Sequence, residues 1–154
     1  MEFQLEKSQK EIQRAVREFA KGEFEKELAQ QMDKAGEFPT RIWRHAADLG
    51  FIGIHFPEAL SGGGMGVLEN TLIAEEFSKK DSTIGAAIMF SCFAAEVVLR
   101  FGSHEQKQAL LPDVIEGKMR SGAAFFSLKA CRMPRRLWPR KPAKGGDCRV
   151  MSPM

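Results

Sequence analysis

Apolar residues recur at helical spacing almost from the first residues of this chain. Between Ser8 and Gln31, the positions Ile12, Val16, Phe19, Ala20 and Leu28 fall on one line, with Phe24 one residue off it. Glu and Lys occupy the opposite face, and pairs such as Glu23–Lys26 stand close enough to interact. The pattern predicts one long amphipathic helix, with Gly36 as a plausible stop. Pro39 then sits where a first helical turn tolerates it. Ile42, Trp43, Ala46 and Leu49 make the inner face of a short helix that Gly50 ends, with Trp43 read as a core residue.

Phe51–Phe56 is a short apolar stretch closed by Pro57-Glu58. The loop Gly62-Gly63-Gly64-Met65-Gly66 follows. Its glycines invite a phosphate-loop reading, but no Gly-Lys-Ser/Thr and no strand-loop-helix pattern surrounds them. A close-packed or flexible turn is the expectation. Val67–Lys80 reads as a helix with Leu68, Leu72, Ile73 and Phe77 inward, and Asp81-Ser82-Thr83 caps the next.

Thr83–Phe101 is the most hydrophobic segment, predicted as one helix apolar around most of its circumference. Such a helix is buried on more than one side, in the core or along a cavity for an apolar ligand. Ser103 with Gln106 is a capping-box pattern opening a helix through Leu110. Pro112–Gly117 reads as another short turn of helix, and Met119–Leu128 as the start of a strand. The body is therefore all-α, with a β element beginning at its end.

Composition changes the picture in one place. The segment Lys129–Met154 is rich in Pro and Arg and has no period. It holds 8 of the 23 Lys and Arg but 1 of the 20 Asp and Glu, so it carries +7 and the preceding residues −4. A solvated, disordered tail is the expectation. A charge of +7 invites contact with nucleic acid or anionic lipid. The tail matches no recognition fold and Trp138 is its only aromatic, so no specific nucleic-acid binding is expected.

Three Cys are too few for a disulfide framework, and Cys92 reads as a buried thiol. The N-terminus has charges where a signal peptide needs an apolar run, and Ile84–Glu96 is too short to span a bilayer. A cytoplasmic location is the simplest expectation. His45, His55 and His104 are isolated in sequence and read as surface or cap residues, with no metal-ligand spacing. Glu75-Glu76 is adjacent rather than facing and is no acid/base pair by itself.

Motif order carries the reading further. Phe38-Pro39 leads a helix; Leu49-Gly50-Phe51-Ile52-Gly53-Ile54, Pro57-Glu58 and the glycine loop follow. Ile73-Ala74-Glu75-Glu76-Phe77, Phe101-Gly102-Ser103-His104-Glu105-Gln106-Lys107-Gln108, Leu111-Pro112 and Glu116-Gly117-Lys118 then fall in sequence. This order resembles the N-terminal helical domain of the acyl-CoA dehydrogenases over about residues 3–128. The resemblance implies a helical domain at 3–118, the first strand of a middle β-domain at 119–128, and a tail at 129–154. It implies FAD-dependent oxidation of an acyl-CoA thioester at its α and β carbons, an electron-transfer partner and a homo-oligomer.

In that family the N-terminal domain supplies wall rather than chemistry, so Gly85, Ala86, Met89, Phe90 and Phe93 are the expected acyl-pocket residues. Phe126 and Leu128 match, weakly, positions that touch the flavin. The catalytic Glu of the family has no counterpart here. Where the family continues Thr-Glu-Pro-x-Ala-Gly-Ser-Asp, this chain has Lys129-Ala130-Cys131-Arg132-Met133-Pro134. The expectation is a truncated chain, inactive alone, whose tail arises from a reading-frame shift near Phe125-Phe126. In a shifted frame, the codons of Phe126–Pro134 can encode Phe-Thr-Glu-Gly-Leu-Pro-Asp-Ala. The other expectation is a non-catalytic interaction module with an exposed apolar helix and an anion-binding basic tail.

Overall fold

A computed structural model of the chain describes residues 4–122. Phe126, Leu128 and the basic tail lie outside the described residues. So does all but the beginning of the expected strand. Within the described residues lie seven α-helices, one 3-10 turn and no strand.

The first amphipathic segment is two helices, α1 (Lys7–Glu23) and α2 (Lys26–Ala35), rather than one. Phe24, the residue off the apolar line, is where they part. It leaves α1 with φ −94° and ψ 81°, and the break turns its ring inward to 2% exposure. There it packs against Phe77, with ring centroids 5.3 Å apart, and edge-on against Phe19. Gly36 closes α2 in the left-handed region, as the sequence suggests, and the Glu37 N–H reaches back to the Met32 carbonyl.

Helix α3 (Thr40–Asp48) buries Ile42, Trp43, Ala46 and Ala47. Leu49, expected inward, is about half exposed. Ala47 takes the inner place because Gly117 packs directly on it: a Cβ at Gly117 would stand 2.7 Å from that of Ala47.

The apolar stretch Phe51–Phe56 forms turns, with Phe51, Ile52, Ile54 and Phe56 buried. The 3-10 turn Glu58–Leu60 leads to the glycine loop. The amides of Gly62, Gly63, Gly64 and Met65 donate to the carbonyls of Pro57, Gly53, Phe56 and Ile54. A Cβ at Gly62 would lie 2.2 Å from the Phe56 oxygen. Glycine is required here for close approach of two backbone segments, and these four amides are already bonded within the chain.

Helix α4 (Val67–Lys80) packs between α1 and α5 (Ser82–Phe90). It buries Leu72, Ile73, Glu76 and Phe77. Leu68, expected inward, is half exposed. The first turn of α4 meets the polar first turn of α1, where Gln9 Nε2 donates to Glu69 Oε1 at 2.8 Å.

Glu76 is the charged group of the α1–α4 interface. Its side chain is 2% exposed. Arg17 donates to both carboxylate oxygens at 2.8 and 3.1 Å, and Lys79 adds a bond at 3.0 Å. The Arg17 guanidinium, opposed by burial and helped by Lys79, holds the carboxyl down to about 2.

The most apolar segment is also two helices, α5 and α6 (Phe93–Phe101). Ser91 and Cys92 separate them. The Ser91 carbonyl, which a continuous helix would pair with the Ala95 N–H, accepts instead from Ser121 N at 2.7 Å and Ser121 Oγ at 3.0 Å. Ser121 Oγ in turn accepts from Ala95 N. Trp43 Nε1 donates to Ser91 Oγ at 2.8 Å, which fastens the break to α3. Met119–Gly122, expected to start a strand, has no regular structure because Ser121 is drawn to this break.

Ser82–Phe101 is long and apolar enough to cross a membrane by length and composition. Here Ile84, Ile88, Cys92, Ala95 and Val98 from this stretch are buried in the common core.

Helix α7 (His104–Ile115) opens with the expected capping box, Ser103 with Gln106. It runs unbroken through Pro112 instead of dividing there. Leu111, Val114 and Ile115 are buried on either side of the proline and hold the helix together across its one missing N–H.

Candidate functional site

Helices α4, α5 and α6 and the His55 turn enclose a cavity of about 310 Å³ that opens to solvent. Gly85, Ala86, Met89, Phe90 and Phe93, the five residues expected to form an acyl-pocket wall, all line it. The break at Ser91–Cys92 places Phe90 and Phe93 together, their rings meeting edge-on at 6.0 Å. Both rings are substantially exposed.

Gly85 has a second reason to be small. A Cβ there would stand 3.0 Å from the Phe77 carbonyl carbon and 3.1 Å from the Ser78 nitrogen. This is the point where α5 crosses the α4 backbone.

The cavity also holds polar residues that sequence reasoning misses. His55, expected at the surface or in a cap, has a side chain only 8% exposed that lines the hollow. Its ring lies 4.6 Å from that of Phe56 and its Nε2 is hydrogen-bonded to Glu96 Oε1. A carboxylate only accepts, so Nε2 carries the hydrogen. Glu96 Oε2 accepts in turn from Arg100 Nε.

Half of the signal for this pair is in the sequence. Glu96 is the one charge between Ser82 and Leu99, and a carboxylate in an apolar helix requires a partner. Nothing in the sequence says which. Asn70, on α4, lines the same hollow. His55 Nδ1 and Asn70 Oδ1 are both buried and have no hydrogen-bond partner.

Cys92 lies at the helix break and is buried, as expected. Burial pushes its thiol up to about 11, so it is no nucleophile at neutral pH. His45 is half exposed and pairs with Glu23, and His104 is exposed in the first turn of α7. No group of three metal-ligating side chains occurs among the described residues.

A flavin's phosphates need free donors, and the bonded amides of the glycine loop supply none. The glycine loop is therefore no cradle for the phosphates of FAD. The two expected flavin contacts, Phe126 and Leu128, fall outside the described residues.

The described residues thus form an all-helical domain with an apolar, open-sided hollow between three helices. The chain belongs to the acyl-CoA dehydrogenase family: residues 6–118 match that family's N-terminal domain.

Over 117 residues it is 30% identical to acryloyl-CoA reductase (NADH) of Anaerotignum propionicum, covering 76% of this chain and 29% of that protein. It is 33% identical to a probable acyl-CoA dehydrogenase of Bacillus subtilis, covering 76% of this chain and 31% of the relative. Among solved structures, the FAD complex of PigA superposes with a TM-score of 0.66 at 29% identity, covering 78% of this chain and 32% of that one. The chain thus spans about a third of the length of the proteins it matches.

Proposed function

We propose that this chain supplies the acyl-binding wall of an FAD-dependent acyl-CoA dehydrogenase and performs no oxidation alone. The observation that carries the reading is the convergence of Gly85, Ala86, Met89, Phe90 and Phe93 on one apolar hollow. An acyl chain is apolar and flexible, and a cavity lined by methyl, thioether and phenyl groups recognises it by exclusion of water. The chemistry of the family is flavin chemistry, which this reading assigns to parts outside the described residues. An acyl-CoA substrate, an electron-transfer partner and a cytoplasmic setting belong to the same proposal. The buried free thiol of Cys92 is compatible with a reducing compartment.

Purified chain titrated with octanoyl-CoA tests the wall. Binding is expected, with a loss of about tenfold in Ala86→Phe, which fills the hollow. Octanoyl-CoA that binds no better than free CoA overturns it. A bound-flavin absorbance band together with dye-coupled acyl-CoA oxidation by the chain would overturn the claim of inactivity.

A second reading has its own observation. Phe90, Val97 and Phe101 are all exposed, Phe101 by 82%. An apolar row of this kind suits an interaction surface, and a homo-oligomer is one form it takes. Light scattering that finds only monomer at high concentration argues against self-association.

A further inference from the structure

Helix α6 offers an apolar ridge to solvent. Phe93, Val97 and Phe101 recur every four residues along it, and all three are exposed. Phe90, at the end of α5, extends the ridge through its edge-on contact with Phe93. Phe90, Phe93 and Phe101 are 65%, 43% and 82% exposed. At about 200 Å² for a whole phenylalanine side chain, the three leave about 400 Å² of apolar surface in water. A patch of that size on one face marks an interaction site. The ridge also runs beyond the hollow, since Val97 and Phe101 do not line it.

Charge names the partner. Between Ser82 and Phe101 the only charged residues are Glu96 and Arg100, which are bonded to each other, so the ridge brings no net charge to a contact. The positive charge lies in Lys129–Met154, which carries +7 against −4 for the rest of the chain. An anionic bilayer suits both features: its acyl region takes the rings and its headgroups take the cations. A protein partner fits less well. The ridge is one helix wide and supplies about half of the roughly 800 Å² that each side of a stable interface contributes. A nucleic acid would pair with the cations and leave the rings in water.

We propose that this chain docks on an anionic lipid surface through the Phe90–Phe101 ridge and the basic segment 129–154. It lies on the bilayer rather than crossing it, because Ile84, Ile88, Cys92, Ala95 and Val98 of the same stretch are held in the core. Neither signal is sufficient. At −4, the rest of the chain is repelled by anionic lipid, so the basic segment supplies the attraction. The ridge supplies the apolar insertion that makes the contact persist. This inference is independent of the acyl-wall reading and gives the exposed row a different occupant from a second copy of the chain.

The test is co-flotation of the full 154-residue chain with vesicles, without acyl-CoA. Phosphatidylcholine vesicles containing about 30% phosphatidylserine are compared with pure phosphatidylcholine in about 0.1 M salt. Binding to the anionic vesicles is expected to be at least about tenfold stronger, and most of it to disappear in about 0.5 M salt. Phe101→Ser lowers it about tenfold and leaves octanoyl-CoA binding in the hollow unchanged. The combined variant Arg135→Gln, Arg136→Gln, Arg140→Gln and Lys141→Gln lowers it at least as much. Those four positions lie outside the helical domain, so they keep the test open should Phe101→Ser disturb α6.

No binding to the anionic vesicles overturns this inference and leaves the acyl-wall reading standing. Equal binding to both kinds of vesicle removes the role of the basic segment, and binding that Phe101→Ser leaves unchanged removes that of the ridge; either result overturns it. A dimer that Phe101→Ser dissociates, with no vesicle binding, assigns the ridge to a second copy instead. Binding of a mixed-sequence DNA duplex in place of vesicles assigns the basic segment to nucleic acid and overturns it too.

Discussion

Substituting Glu76→Gln removes the charge at the α1–α4 interface with almost no change of shape. The amide keeps one oxygen able to accept, while its NH₂ faces a donor that the carboxylate had satisfied, so the variant loses the charge and one hydrogen bond. The wild-type carboxyl falls from an ordinary value of 4.5 to about 2 on folding. A depressed carboxyl stabilises the folded state above its unfolded value, and that contribution disappears as pH falls through the folded one. At about 1.4 kcal/mol per pH unit, the full effect is about 3 kcal/mol.

Arg17 and Lys79 are themselves exposed, and water screens their charges, so about 1–2 kcal/mol is the expected loss at neutral pH. Urea unfolding of both proteins at pH 7 measures it. Repeating the comparison in acid tests the cause: the gap should begin to close below about pH 4.5 and shrink to about a quarter of its neutral value by about pH 2.5. Equal stability at pH 7, or a gap that acid leaves unchanged, refutes the account of Glu76 as a stabilising ion pair.

Gly62→Ala places a Cβ against the Phe56 carbonyl, with no flexible side chain to give way; a loss of about 3 kcal/mol is expected in urea unfolding. The Cys92 thiol, pushed up to about 11 by burial, should react with iodoacetamide at pH 8 far more slowly in the folded chain than in urea. Equal rates would show that the α5–α6 break opens freely.

Much of this fold is legible from spacing alone, and the misses have physical causes. The helix pattern locates α3, α4 and the Ser103 cap correctly. It runs α1 into α2 because periodicity tolerates one misplaced residue, whereas the backbone resolves Phe24 by breaking. It runs α5 into α6 because an all-round apolar helix has no face whose phase can reveal a break. Local spacing points Leu49 and Leu68 inward, but burial is decided by what stands opposite: Gly117 over Ala47, and Gln9 beside Glu69. The five wall residues come from motif order rather than from periodicity. His55 and Glu96 are 41 residues apart in sequence, and only the tertiary fold brings the imidazole to the carboxylate.

Ser121 gives the fold an unexpected boundary. It lies beyond residue 118, where the family match ends, and contributes no side chain to the hollow. Yet it holds the Ser91 carbonyl away from the Ala95 N–H with two hydrogen bonds. It works as a latch pin: with it in place the two halves of the apolar segment stay bent and Phe90 and Phe93 stand side by side. A protein trimmed at residue 118 for expression would keep every wall residue and lose the pin. The shape of the hollow is thus set partly by a stretch of chain that a domain boundary drawn from sequence would discard.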